Sequence, residues 1–359
     1  MPRPTVDQLY TRAAIRLAAN GLYSVTRNNP RVGCLLVKNG VVIGRGFHRS
    51  DGSAHAEVEA LKATSEDPSG ATAYVSMEPC CVHKRTPPCT TALIAAGIKR
   101  VVIGELDPSV EVNGAGVQTL QEASIPVTVL GLPEARSLNP GFYKRISQGR
   151  PFVRVKSGMS LDGRVAMGNG DSQWITSADA RRDVQRLRAR SGAIITGINT
   201  VLTDDPRLTV RGEQFTSCKP MRVVLDTQGR LSSEAELLKH PGEVVVVCHT
   251  SAKLPASVTK WDHENDHAEL DNVHKRLADV GVNEILVEAG PTLTSSYLKT
   301  GLWDELIFYV APKLLGSRAR PVSQLQIEKL CDAIQGRLES LQLVGDDLRL
   351  VIVKSASND

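Results

Sequence analysis

The order of apolar and polar positions in the first half of the chain predicts alternating helices and strands. Residues 10–19 have helical periodicity, and the apolar runs 32–37 and 41–46 are joined by Asn39-Gly40, a strong hairpin-turn signal. The same pattern predicts helices at 55–61, 90–96 and 117–123, and strands at 72–76, 100–104 and 126–130. Such alternation indicates a three-layer α/β sheet.

A second α/β series follows Asn139-Pro140-Gly141 and the basic stretch 144–150. It contains a charged amphipathic helix at 178–190, and its loop at 250–271, rich in His, Asp and Glu, is predicted to be a solvated surface. Strands are predicted at 152–157, 193–197, 222–226, 243–248, 284–288, 306–310 and 349–353. With a length of 359 residues, the two series predict two domains, 1–148 and 149–359.

Composition and charge limit the classes of partner. The chain is 41% hydrophobic and 23% charged, which is typical of a globular protein. Its formal net charge is only +4, with Lys and Arg spread along the chain, so a nucleic-acid surface is not expected, although local basic groups could hold a phosphorylated small molecule. Seven cysteines without disulfide spacing, and no signal core or membrane-length apolar run, predict a cytoplasmic protein with no membrane partner.

One segment carries the pattern of a catalytic zinc site. His55 is followed two residues later by Glu57, and Pro79-Cys80 comes after the next predicted strand. One histidine and two thiolates can hold zinc and leave its fourth position open, while a nearby glutamate moves protons without binding the metal. This H-x-E…P-C arrangement is typical of zinc nucleobase deaminases. By chemistry alone, the third ligand could be any of three later residues: Cys81, His83 or Cys89.

The predicted layout gives both halves of this motif the same local setting. The segments with His55 and Cys80 each follow a strand at the point where the chain is predicted to enter a helix. Open α/β sheets place their ligand crevices at the carboxyl ends of strands. A helix N-terminus also carries partial positive charge, so we expect it to favour the thiolate and carboxylate forms.

The segment from Met77 to Thr90 resembles a known enzyme family. Its letters, M-E-P-C-C-V-H-K-R-T-P-P-C-T, are similar to the E-P-C-…-[RK]-T-P-P-C segment of the bifunctional deaminase/reductase of riboflavin biosynthesis. The string N-P-R-V-G-C from Asn29, and D-P with G-x-G between Asp107 and Gly116, also match, and the resemblance runs from about residue 8 to about residue 353. It implies a cytidine-deaminase-like α/β/α first domain with Zn²⁺ bound by His55, Cys80 and Cys89.

The resemblance also implies the first reaction. Glu57 would be the catalytic base and acid in the hydrolytic deamination of 2,5-diamino-6-(5-phosphoribosylamino)pyrimidin-4-one, and three residues would contact this substrate: Asn29, His48 and Arg85. Val82 and Val110 depart from the family's pattern, which has a histidine and a second proline at these points. They motivate an alternative, a paralogue acting on a related pyrimidine in a specialised flavin- or pteridine-like pathway.

The second half resembles the family's reductase module, whose fold is like that of dihydrofolate reductase. The matching strings are K-x-x-x-S-L-D-G-R from Lys156, S-Q-W-I-T from Ser172 and G-x-N-T-V-L-x-D-D-P-x-L-T-x-R from Gly197. At Glu288, E-A-G-P-T predicts a strand-to-helix turn whose backbone N–H groups suit a dinucleotide phosphate. Because this half has no G-x-G-x-x-G, a Rossmann site is disfavoured.

From this resemblance we expect NADPH to reduce C1′ of the opened ribose to a ribityl chain, with Asp204 assisting proton transfer. Arg188 and Arg211 are suited to the substrate phosphate, since guanidinium groups bind phosphate bidentately. The expected NADPH-binding residues are Gly158, Trp174, Thr200, Asp204, Gly290, Pro291, Thr292, Leu293, Thr294, Ser295 and Ser296. The expected substrate-binding residues are Lys156, Ser172, Arg188, Leu208, Arg211 and Glu288.

Two other classes of function share part of this pattern. A nucleic-acid deaminase would use the same zinc motif but needs a basic, aromatic-rich channel, whereas only 4% of these residues are aromatic. A non-catalytic, metal-stabilised module would have no need of Glu57 beside the ligands. We therefore expect an enzyme with a small-molecule substrate, and the resemblance implies a homo-oligomer, either a dimer or a tetramer.

Overall fold

The computed structural model describes residues 3–83, 87–215, 217–265 and 268–355. The chain divides into two compact units, Met1–Gly149 and Arg150–Asp359. Among the described residues, no helix has the length and apolar character needed to cross a membrane.

The first unit contains helices and strands in alternation. Its helices are α1 (Val6–Ala18), α2 (Ala56–Lys62), α3 (Cys89–Ala95), α4 (Ala115–Glu122), α5 (Pro133–Leu138) and α6 (Pro140–Gln148). Its strands are β1 (Gly33–Lys38), β2 (Val41–Phe47), β3 (Thr72–Val75), β4 (Arg100–Ile103) and β5 (Val127–Val129).

These strands form a sheet in the order β2-β1-β3-β4-β5. The β1–β2 hairpin is antiparallel, β1 is antiparallel to β3, and β3, β4 and β5 are parallel. Side chains of β1 alternate between two cores, with Leu35 packed in a core that includes Ala14 of α1 and Leu36 in a core that includes Ala60 of α2 and Leu93 of α3. The three-layer arrangement predicted from the sequence is therefore confirmed.

The end of the first unit braces the loop that precedes β1. The Asn139 side chain, between α5 and α6, accepts a hydrogen bond from the Arg31 amide at 2.8 Å and donates one to the Arg31 carbonyl at 2.9 Å. The Arg31 guanidinium donates to the carbonyl of Leu138 at 3.0 Å. Phe142 of α6 packs against the buried Met77. The stretch 144–150, treated in the sequence as a basic link, thus mostly belongs to helix α6.

The second unit has a larger set of elements. Its helices are α7 (Ala178–Arg190), α8 (Ile198–Asp204), α9 (Leu270–Asp279) and α10 (Pro291–Thr300). Its strands are β6 (Phe152–Ser160), β7 (Arg164–Ala166), β8 (Ala193–Gly197), β9 (Met221–Leu225), β10 (Val244–His249), β11 (Thr259–His263), β12 (Glu284–Glu288), β13 (Glu305–Ala311), β14 (Arg320–Pro321), β15 (Gly336–Val344) and β16 (Asp347–Lys354).

The described residues of the second unit form a nine-stranded sheet in the order β11-β10-β9-β8-β12-β6-β13-β16-β15. The strands from β11 to β13 are parallel, and β16 and β15 extend the sheet in antiparallel pairing. One face carries the core that includes Leu277 of α9 and Tyr297 of α10, and the other carries Leu187 of α7 and Val201 of α8. Helices on both faces explain why its central strands are continuous apolar runs.

The strands predicted for both units are confirmed, but in the second unit one loop prediction was wrong and an edge strand was missed. Strand β11 and the start of α9 lie inside 250–271, which was predicted to be a solvated loop. Only Trp261 of β11 is buried, so an edge strand with one inward side chain lacks an alternating signal. Strand β15 was missed because it is exposed along almost its whole length.

A buried charge group crosses the centre of this sheet. Arg154 on β6 binds Glu284 on β12, and its Nε donates to Glu305 Oε2 on β13 at 2.6 Å. Arg154 and Glu284 are both only 1% exposed. A buried ion pair is not in itself strong evidence that the fold is stabilised. Removing one partner, however, leaves the charge of the other partner buried and uncompensated.

We therefore expect Arg154→Ala to lower the free energy of unfolding by about 3–5 kcal/mol, because Glu284 would lose its main counter-ion in a dry environment. Urea denaturation measures this difference. Arg337→Ala is the control, since Arg337 pairs with Glu339 at the surface and surface pairs contribute little. Equal unfolding midpoints for the two variants would contradict the expectation.

Candidate active sites

Three side chains of the first unit converge as the sequence predicts for a metal site. The ligand atoms of His55, Cys80 and Cys89 all lie within 4.8 Å of one another. His55 Nδ1 is 3.2 Å from Cys89 Sγ and 3.4 Å from Cys80 Sγ, and the two sulfurs are 3.4 Å apart. In a tetrahedral zinc site with these donors the same separations are about 3.5–3.8 Å. One imidazole and two thiols at this spacing therefore fit zinc.

Local sequence explains how the ligands are held. His55 is the N-cap of α2, and Gly46 on β2 allows that helix to approach, since a Cβ there would lie 2.2 Å from the carbonyl of Ala56. Cys89 begins α3 directly after Pro88. The prediction that Cys80 enters a helix was wrong, because α3 begins only after Pro87-Pro88. Pro87 is disfavoured in the helical region since a proline follows it.

The N-terminus of α3 nevertheless acts on Cys80. The Cys89 amide donates to Cys80 Sγ across 3.4 Å, as partial positive charge at a helix start should. Hydrogen bonds from Cys89 and the nearby His55 lower the pKa of Cys80 to about 4. The Cys80 sulfur is therefore held as a thiolate, which is the form that binds zinc.

Glu57 lies beside the ligands and is 2% exposed. Burial, and next the negative charge of Cys80, raises the pKa of Glu57 to about 7, and the Cys89 thiol hydrogen-bonds to this carboxyl group. A carboxyl group with this pKa can accept and release protons near neutral pH. Cys34 of β1 is a fully buried thiol whose pKa is raised by burial and by the charge of Glu57.

Two of the three residues expected to contact the substrate of the first reaction are described. Asn29 Nδ2 lies 3.0 Å from Nε2 of His48, and His48 Nδ1 lies 3.1 Å from the carbonyl of Ala54. His48 is 2% exposed, so it has almost no surface of its own and acts through its contact with Asn29. Arg85 lies outside the described residues.

The second unit contains a cavity of about 1660 Å³ at the carboxyl ends of its parallel strands. Typical sites for one small ligand measure about 300–1,000 Å³, so this cavity has room for a dinucleotide and a second molecule. The expected site residues that line it are Lys156, Gly158, Ser172, Trp174, Arg188, Thr200, Asp204, Leu208, Arg211, Glu288, Gly290, Pro291, Thr292, Leu293 and Ser296. Thr294 and Ser295 are instead buried in the packing of α10.

Charged groups of this cavity form a cluster around Glu288. Arg188 Nε and Nη2 donate to the two oxygens of Glu288 at 2.5 and 3.0 Å, and Nη1 donates to the carbonyl of Thr209 at 2.8 Å. Burial alone would raise the pKa of Glu288, but Arg188 and Lys156 hold it below its ordinary value. Burial in turn lowers the pKa of Lys156, against the opposing effect of Glu288.

Arg211 is placed differently from Arg188. Burial lowers its pKa, and the charges of Arg188 and Arg207 add to this effect against the opposing charge of Glu288, so cations outnumber anions around this guanidinium. Its amide donates to Gln185 Oε1 of α7 at 2.9 Å, which fixes the loop. Arg211 therefore has the surroundings expected for an anion ligand, whereas much of the Arg188 fork is occupied by Glu288.

A second acidic group, Asp204 at the end of α8, also lines the cavity. Burial raises the pKa of Asp204, against the opposing effects of a hydrogen bond from Ser172 and the charge of Arg320. Sequence reasoning missed Arg320, which lies in the short strand β14, far along the chain from Asp204. It also missed Arg207, although this residue stands between Pro206 and Leu208 in the matching string. It also missed the buried Glu78, although a charged residue two positions after the predicted strand 72–76 was a usable signal.

Comparisons with known proteins match both units to known domains. Residues 4–105 match the model of the cytidine and deoxycytidylate deaminase zinc-binding region, and residues 151–350 match that of the RibD C-terminal domain. The riboflavin biosynthesis protein RibD of Escherichia coli is 45% identical over 97% of this chain and 99% of its own length. RibD of Haemophilus influenzae is 42% identical over 96% of each chain.

Solved structures give the same result. A structure of Acinetobacter baumannii RibD superposes with a TM-score of 0.90 at 42% identity, covering 98% of this chain and 99% of that one. A Thermotoga maritima diaminohydroxyphosphoribosylaminopyrimidine deaminase/5-amino-6-(5-phosphoribosylamino)uracil reductase gives a TM-score of 0.88 at 31% identity, covering 97% and 99%.

The fold and the two sites define a zinc-dependent deaminase joined to an α/β reductase. The first unit has the zinc-binding region of the cytidine deaminases, and the second matches a reductase domain over nearly its whole length. The chain belongs to the RibD family of riboflavin biosynthesis proteins. It is accordingly an enzyme with both halves of a bifunctional deaminase/reductase.

Proposed function

We propose that this chain converts 2,5-diamino-6-(5-phosphoribosylamino)pyrimidin-4-one in two steps, deamination in the domain 1–148 and NADPH-dependent reduction in the domain 149–359. The proposal for the first step rests mainly on the position of Glu57. Its buried side chain contacts Cys89 and lies beside His55 and Cys80. The substrate is the one that the Thermotoga maritima relative is named for.

In the deamination, zinc held by His55, Cys80 and Cys89 would supply a water whose pKa is lowered to about 7. Glu57 takes a proton from this water and delivers it to the ring nitrogen beside the amino-bearing carbon. The water oxygen bonds to that carbon, and Glu57 carries the remaining proton of this oxygen to the amino group as the C–N bond breaks, so that one water is consumed and one ammonia released. Asn29, held by His48, is the residue we assign to the pyrimidine edge.

In the reduction, NADPH would supply a hydride to C1′ of the opened ribose. The product also needs one proton, and Lys156 is the donor we assign, because it lies in the cavity beside Glu288 with a pKa lowered by burial. Asp204, whose pKa is raised, is a second candidate for the same proton. Arg211 is assigned to the substrate phosphate, and Arg188 binds Glu288.

We also propose a cytoplasmic homo-oligomer. All seven cysteines, each among the described residues, are free thiols, in keeping with a reducing compartment. Strand β15 is an exposed edge with apolar side chains, since Leu338 and Leu341 are 53% and 54% exposed and Leu343 is 75% exposed. A long apolar edge strand favours pairing with a second copy. Sedimentation velocity of the full chain measures the assembly, and a monomer at micromolar concentration would contradict it.

The test of function uses the purified full chain with the diaminopyrimidine substrate and NADPH. We expect one ammonia released per substrate and one NADPH oxidised per substrate in the same reaction. Treatment with a chelator should abolish ammonia release, and stoichiometric zinc should restore it. Turnover of neither phosphoribosyl pyrimidine intermediate would contradict the proposal and favour a related pyrimidine as substrate.

A further inference from the structure

A buried carboxylate lies two residues before the ligand Cys80. Glu78 is 4% exposed and follows β3 at the start of the segment that carries the ligand. Its Oε2 accepts hydrogen bonds from the amides of Gly114 at 3.1 Å and Asp107 at 3.3 Å, and its Oε1 accepts one from Val117 at 3.1 Å. The Glu78 side chain thus binds both ends of the loop between β4 and α4.

A second observation concerns Gly116, which lies between Gly114 and Val117. A Cβ at Gly116 would lie 2.3 Å from the carbonyl oxygen of Pro79 and 3.0 Å from Glu78 Oε1. The backbone of α4 therefore rests directly on the residue that precedes Cys80. Contact of this kind transmits a displacement of α4 to the ligand, because neither backbone can give way without moving the other.

The loop held by Glu78 also contacts the residue that follows the ligand Cys80. Cys81 Sγ, directly after the ligand, is within 3.8 Å of the carbonyl of Glu111 in this loop, and the Asp107 carboxylate accepts a hydrogen bond from the Ser109 amide at 2.8 Å. The Glu78 carboxylate therefore joins the segment that contains Cys80 to the neighbouring loop between β4 and α4.

We propose that Glu78 is a positioning residue that sets where Cys80 stands relative to His55 and Cys89. This inference rests on the proposed zinc site and names a residue outside the ligand set. Groups that bind and orient metal ligands typically change metal affinity or activity by about 10- to 100-fold when they are lost. Both side-chain oxygens act as acceptors, since each of these hydrogen bonds from the loop and α4 comes from a backbone N–H donor.

Glu78→Gln tests the inference, because glutamine has the same shape but turns an N–H₂ group towards an N–H donor. We expect the variant to bind one zinc per chain with an affinity at least about tenfold lower in competition with a chromophoric chelator. With cobalt in place of zinc, its thiolate-to-metal absorption should shift, as a changed Cys80 position requires. Glu105→Gln is the matched control, since Glu105 Oε1 accepts only the neighbouring Leu106 amide among the described residues.

The outcomes separate this inference from the proposed function. Failure of the unmodified chain to bind zinc would overturn the zinc site itself. The unmodified chain could instead bind zinc normally while Glu78→Gln shows the same zinc affinity and the same cobalt absorption. That result would overturn the positioning role alone, even if the unfolding temperature of the variant fell. If Glu78→Gln does not fold, Gly116→Ala gives the same test, because its Cβ would displace Pro79, and an unchanged cobalt spectrum would again overturn the role.

Discussion

Glutamine in place of Glu57 is expected to slow ammonia release by about 10²–10⁴-fold while one zinc per chain is retained. The side chain is buried against Cys89 and has a pKa near 7, so it is equipped to move both protons of the deamination. Glutamine keeps the size of the side chain but cannot take up a proton. Metal content by elemental analysis and ammonia by a coupled assay measure the two expectations.

The control for this variant is Glu59→Gln on the same helix. Glu59 pairs with Arg49 at 3.2 Å and with Lys62, away from the ligand set, so ammonia release should stay near that of the unmodified chain. A Glu57→Gln protein that still releases ammonia at the normal rate would remove Glu57 from the mechanism. Loss of zinc in that variant would mean that Glu57 supports the ligands instead.

The second large effect is expected in the other unit. Lys156→Met should slow NADPH oxidation by about 10²–10⁴-fold, because the assigned proton donor is removed, while ammonia release is unchanged. Lys275→Met is the matched control, since Lys275 is an exposed residue paired with Asp271 at 2.8 Å. Parallel measurement of NADPH absorbance and ammonia on the same samples separates the two activities.

The pH dependence of reduction follows from the same assignment. Lys156 donates only when protonated, and its pKa is lowered from 10.5 by burial, so the rate should fall as pH rises through that lowered value. This alkaline decline should be absent from the residual activity of Lys156→Met. If Asp204→Asn abolishes reduction and Lys156→Met does not, the proton belongs to Asp204.

Local features could be predicted where the residue types or the spacing of apolar positions indicated one structure. The His55, Glu57 and Cys80 spacing marked a catalytic metal site, although Cys81, His83 and Cys89 could not be separated by chemistry alone. The helix at 178–190 was predicted with the bounds that the structure has, because its apolar positions recur at helical spacing against a charged background.

Pairings between distant residues could not be predicted. Arg188 was assigned to phosphate, yet its nearest anion is Glu288, one hundred positions further along the chain. Nothing in the sequence indicated that the side chain of Asn29 would contact that of His48. Such partners depend on which strands become neighbours, and a single sequence with apolar strands of similar length does not determine strand order.

The brace between Asn139 and Arg31 bears on how the deaminase half can be isolated. A fragment cut at residue 105, where the match to the zinc-binding region stops, would keep every proposed zinc ligand but lose Asn139. The main-chain N–H and C=O groups of Arg31, close to Asn29 in the chain, would then lose their hydrogen bonds to the Asn139 side-chain amide. A fragment meant to work alone should therefore extend through Gln148, where the last helix of that unit stops.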